Sequence, residues 1–103
     1  MIYPYAKKKE VLNTGDAVGY LLAETGNNDL VELHIKKKGL VPAHALPIDV
    51  TFYVVSGKGS ITISNDKTGA SQGDIVDVKR DLERSWHNPF SETLKLLVIK
   101  QKQ

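Results

Sequence analysis

Cysteine is absent from the sequence, which excludes disulfide bridges, thiolate metal ligands and cysteine nucleophiles together. Arginine is nearly as scarce, with only Arg80 and Arg84. Long apolar runs are missing too. The longest, such as Phe52–Val55, span four residues, whereas a membrane-crossing helix needs about 20. A secretory leader carries positive charge ahead of an apolar stretch of about 7–15 residues. Here Met1–Tyr5 leads straight into Lys7-Lys8-Lys9, and no such stretch follows. A cytoplasmic location without membrane association is therefore expected.

What is present fits a folded chain: 103 residues, 41% apolar, 25% charged, net charge +2. A disordered chain would be poorer in Leu, Ile and Val and more lopsided in charge. The length suits one domain, residues 1–103, with residues 1–16 as an N-terminal arm. The lysine triplets at residues 7–9 and 36–38 could each neutralise phosphate groups. No aromatic residues interleave them, and acids are scattered along the chain. They read as a solubilised arm and a solvated turn, so no nucleic-acid partner is expected.

Apolar residues alternate with period two along most of the chain, a strand signal. Strands are expected at 18–24, 30–36, 40–43, 50–56, 60–64, 75–79, 84–88 and 93–100. In the second of these, Val31, Leu33 and Ile35 share one face and Glu32 and His34 the other. Pro42 cannot donate to a ladder and marks an edge strand. Residues 65–72 read as a polar turn region. Short helical turns are expected at 5–13 and 79–83. Seven or eight short strands with regular turns predict an all-β sandwich or barrel of antiparallel strands.

The usual catalytic templates are weak. Ser56, Ser60 and Ser64 lack a neighbouring histidine and a nucleophile elbow. Gly57-Lys58-Gly59 precedes no helix, so it reads as a hairpin turn and not a phosphate loop.

Residues 39–99 resemble the cupin family, whose fold is a small jelly-roll barrel, the double-stranded β-helix. The first cupin motif runs Gly, His-x-His, Glu, Gly, and its slots hold Gly39, His44, Leu46, Val50 and Gly57. The second runs Gly, Pro-x-Gly, His, Asn, and its slots hold Gly73, Lys79, Asp81, Arg84 and Asn88. Fifteen residues separate Gly57 from Gly73, the short spacing of the smallest cupins. The turn residues are kept. The chemical ones are not. The resemblance implies three histidines and a glutamate around a metal ion. Carried over, that set becomes His44, Leu46, Val50 and Arg84. Hydrocarbon side chains cannot ligate, and an arginine stays cationic. No metal cofactor is therefore expected, the alternative being a divalent transition metal held through His44 and residues outside the motif.

Placed in a cupin barrel, His44, Leu46, Val50, Phe52, Arg84 and Trp86 face inward. An apolar wall with a few placed polar groups is the usual composition of a small-ligand site. Arg84 would select a carboxylate or phosphate through its bidentate fork. Trp86 would offer a stacking surface, and His44 an acid or base, as in sugar-epimerising cupins that work without metal. Structural alternatives stand beside each reading. Arg84 could extend to solvent or pair with Glu83 or Glu32, Trp86 could be core, and His44 could be a satisfied barrel-mouth histidine. Thr51, Tyr53 and Val55 form the opposite face of the same strand, where the resemblance implies a second sheet or a partner copy, so a homodimer is expected. The expected function is binding of a small, anionic ligand without the usual metal. The alternative is a metal-dependent isomerase or dioxygenase with atypical ligands.

Overall fold

The computed structural model describes residues 1–102. After one 3₁₀ turn, Tyr5–Lys7, come β1 (Lys9–Asn13), β2 (Ala17–Glu24), β3 (Asn28–Ile35), β4 (Leu40–His44) and β5 (Val50–Ser56). Then follow β6 (Lys58–Ile63), β7 (Asp66–Ser71), β8 (Ile75–Val78), β9 (Arg84–His87) and β10 (Leu94–Gln101). They form a six-stranded sheet, β1-β2-β3-β10-β5-β8, and a four-stranded sheet, β4-β9-β6-β7. Every pairing is antiparallel, giving the jelly-roll barrel. Among the described residues, no helix is long and apolar enough to cross a membrane.

Register explains the core. Ile35, Leu33 and Val31 of β3 stand opposite Leu94, Leu96 and Val98 of β10. Leu96 and Val98 in turn face Val54 and Phe52 of β5. All of these are buried, because the apolar positions of each strand fall on one face. The small sheet closes over them with Ile61, Ala70 and Trp86.

Turns follow the kept glycines. Gly57 and Gly73 take φ values of +83° and +93°, which a side chain resists. At Gly57 a Cβ would also lie 2.5 Å from the Thr93 carbonyl oxygen. Asn88 is wholly buried. Its Nδ2 donates to the carbonyls of Ile35, Lys36 and Glu92 at 3.1, 3.1 and 2.7 Å. Its Oδ1 accepts the Phe90 amide at 3.1 Å. One side chain thus ties the end of β3 to the β9–β10 turn.

Three expectations need correction. Residues 65–72 hold a strand, β7, whose sequence looks like a turn because only Ala70 along it is buried. Residues 5–13 form a 3₁₀ turn and then β1, since pairing with β2 outweighs local propensity. Residues 79–83 form no helix. Asp81, in the slot where the motif has glycine, takes a left-handed φ of 67° and donates its amide to the Leu46 carbonyl at 2.8 Å. Aspartate is one of the few residues that visit this region readily.

Candidate functional site

A cavity of about 440 Å³ opens between the sheets. Val31, Leu33, Phe52 and Val98 of the large sheet form one wall, and Arg84 and Trp86 of β9 face them. The rim comes from two edge strands: Val11 and Leu12 of β1, and Val41 to His44 of β4.

The β4 rim depends on a local irregularity. Val41 pairs with Trp86 and His44 with Arg84, so Pro42 and Ala43 together oppose Ser85. A bulge of this kind flips the strand's alternation. It sets both Val41 and His44 on the cavity side, although their separation of three would place them on opposite faces of a regular strand. Pro42 has no amide to lose from the ladder. His44 is exposed at the rim, with Nδ1 3.2 Å from the Pro42 carbonyl oxygen.

Arg84 is the unusual group. Its residue is 3% exposed, and its Nε and Nη1 are buried with no hydrogen-bond partner among the described residues. Its guanidinium carbon lies 5.8 Å from the centre of the Phe52 ring, a modest cation–π contact. Burial pushes its pKa below the ordinary value, yet a guanidinium remains charged in proteins. Neither expected counter-ion reaches it. Glu83 is exposed. Glu32 lies on the outer face, where its Oε1 accepts from Tyr5 Oη at 2.6 Å and lies 2.8 Å from His34 Nε2. Trp86 repeats the pattern: it is 1% exposed, packs edge-on against Phe52 at 5.4 Å, and its Nε1 is buried without a partner among the described residues.

Of the six residues expected to face inward, His44, Phe52, Arg84 and Trp86 meet at the cavity. Val50 is fully buried opposite Val78, and Leu46 packs half-buried against the core. Neither lines the cavity. Val31, Leu33 and Val98 also line the cavity, and strand alternation marks them as inward-facing without distinguishing site from core. The β1 contribution carried no apolar signal beyond Val11 and Leu12. Two further potential metal donors lie away from the cavity: His34 is on the outer face with Glu32, and Asp49 Oδ1 accepts the Arg80 amide at 2.9 Å.

The sequence matches the model of the cupin domain over residues 31–100. The chain belongs to the cupin family. Solved structures similar to this cupin include KdgF from Halomonas sp., at 13% identity and a TM-score of 0.84, covering 100% of this chain and 94% of that one. A predicted oxalate decarboxylase from Thermotoga maritima aligns at 12% identity and a TM-score of 0.84 over the whole of both chains. An RmlC-like cupin from Shewanella frigidimarina gives 15% identity and a TM-score of 0.83, covering 95% of this chain and 86% of that one. At these identities the likeness concerns the fold. No curated protein matches the sequence.

The metal that the family implies does not fit the residues present. The donor positions hold one imidazole, two hydrocarbons and a guanidinium, and the guanidinium is buried at the cavity. Among the described residues no three His, Asp or Glu side chains converge elsewhere to replace them. A divalent transition metal needs several N, O or S donors at about 2.0–2.3 Å.

Proposed function

We propose that this cupin binds a small anionic ligand in its barrel cavity, with Arg84 as the recognition group and no metal in the family's usual slot. The observation that carries this reading is the buried guanidinium whose Nε and Nη1 have no partner among the described residues. A buried unpaired charge costs several kcal/mol, and an entering carboxylate or phosphate offsets that cost with charge-assisted hydrogen bonds of about 1.5–3 kcal/mol each. Phe52 and Trp86, packed edge-on against each other, line the cavity beside the charge.

A thermal-shift screen of small acids, phosphates and sugars tests the reading. A ligand at 100 times its Kd stabilises by about 2.7 kcal/mol, a Tm rise on the order of 10 °C for a chain of this size. Hits should be anions and should vanish in Arg84→Met. Hits that persist in that variant would refute the proposal. Elemental analysis adds a second check: one transition metal per purified chain, lost in His44→Ala, would favour the metal enzyme instead.

The geometry of His44 favours a second reading, an enzyme that moves a proton. The Pro42 carbonyl can only accept, so Nδ1 carries a hydrogen, and Nε2 stands at the rim without a hydrogen-bond partner among the described residues, placed to take or give a proton. Solvent deuterium should then wash into a bound acid next to its carbonyl group, and His44→Gln should stop the exchange while sparing binding.

We also read the outer face of β5 and β8 as the contact between two copies. Tyr53 and Ile75 are register partners there, and Val55 lies on the same face; all three are exposed. Sedimentation should show a dimer that Tyr53→Lys with Ile75→Lys splits into monomers.

A further inference from the structure

The site offers two unpaired donors of different kinds, and the second one narrows the ligand. Arg84 presents a charged fork. Trp86 presents a single neutral N–H that can only donate. Buried tryptophans ordinarily find a partner for that N–H; here it has none among the described residues, and the side chain lines the cavity. The two residues stand two apart on β9, so their backbones are about 6–7 Å apart. A carboxylate held in the two-pronged Arg84 fork has both oxygens engaged, which leaves Trp86 Nε1 for a further acceptor.

We propose that the ligand is an apolar oxo or hydroxy acid: a carboxylate for Arg84, an uncharged oxygen for Trp86 Nε1, and a hydrocarbon body for the rest. This rests on the anion reading above and goes beyond it. Val31, Leu33, Leu12 and Val98 supply the hydrocarbon wall. A sugar acid would leave several hydroxyls unpaired against that wall, which polar groups resist. Inorganic phosphate would leave oxygens desolvated beside Phe52, Val31 and Leu33. The other cation at the cavity, Lys100, lies on β10 across from β9, so a dicarboxylate using it is one outcome of the test.

The probes are straight-chain oxo acids, with the carbonyl two to five carbons from the carboxylate, and the parent fatty acids of equal length. Inorganic phosphate, a sugar acid and dicarboxylates complete the panel. Calorimetry should give the best oxo acid about 5–30-fold tighter binding than its parent, the worth of one buried hydrogen bond. Trp86→Phe should erase that ratio, and Arg84→Met should weaken both acids at least tenfold. The chain has one tryptophan, so its single indole N–H resonance provides a readout that needs no substitution. It should move downfield with the oxo acid and stay near its free position with the parent. Equal affinities for oxo and parent acids, or an unmoved resonance, would overturn this inference. So would preference for phosphate, the sugar acid or a dicarboxylate; each of these would leave the anion reading standing if Arg84→Met abolished it. Absence of any binding that depends on Arg84 would remove both.

Discussion

Arg84 and Asn88 sit four residues apart, at the start and just past the end of β9, and both are buried polar groups. Their surroundings differ completely. Asn88 spends both ends of its amide on backbone groups. Arg84 leaves its Nε and Nη1 without a partner among the described residues, at the cavity. Folding alone accounts for Asn88, because each of its contacts holds a turn. It does not account for Arg84, because removing a buried unpaired charge would make folding easier. The contrast separates a group that serves the scaffold from one kept for something outside it.

Substitution should expose that difference most strongly at Asn88. Asn88→Ala strands three carbonyls and an amide and should cost about 3 kcal/mol or more, read by urea denaturation. Arg84→Met should act in the opposite direction, raising the stability of the free protein by about 1–3 kcal/mol while abolishing anion binding. A destabilised Arg84→Met would mean that the guanidinium serves the fold after all. On the outer face, burial works to raise the Glu32 pKa, but the hydrogen bonds from Tyr5 and His34 and the charges of His34 and Lys95 outweigh it and hold it below its ordinary value. A lowered folded value means that ionised Glu32 stabilises above pH 4.5 and that this contribution fades as pH falls through the lowered value. Glu32→Gln should remove that part of the acid-range slope, an effect below about 1 kcal/mol at neutral pH. The smallest change is expected at Asp81, where glycine relieves the left-handed backbone but loosens the unfolded chain. Asp81→Gly should shift stability by no more than about 1 kcal/mol.

Much of this was legible beforehand, for identifiable reasons. Strands buried on one face write their period into the sequence, so β2, β3, β5, β9 and β10 could be read from alternation. Motif spacing put Gly57, Gly73 and Asn88 at turns and Arg84 and Trp86 on one face. Strands β1 and β7 escaped because they bury almost nothing, so their pairing leaves no apolar trace. The motif slot alone points His44 inward; the bulge at Pro42 and Ala43 that puts it there arises from strand pairing and leaves no mark in the local sequence. No local pattern could show that Arg84 lacks a counter-ion, since that depends on Glu32 being engaged on the far side of its sheet.

The two strands that frame the cavity mouth, β1 and β4, are each held by one neighbour only. Their side chains can be exchanged without disturbing the ladders that bury Leu94, Leu96 and Val54. A barrel built in this way can change what it admits at the doorway while its foundations stay untouched.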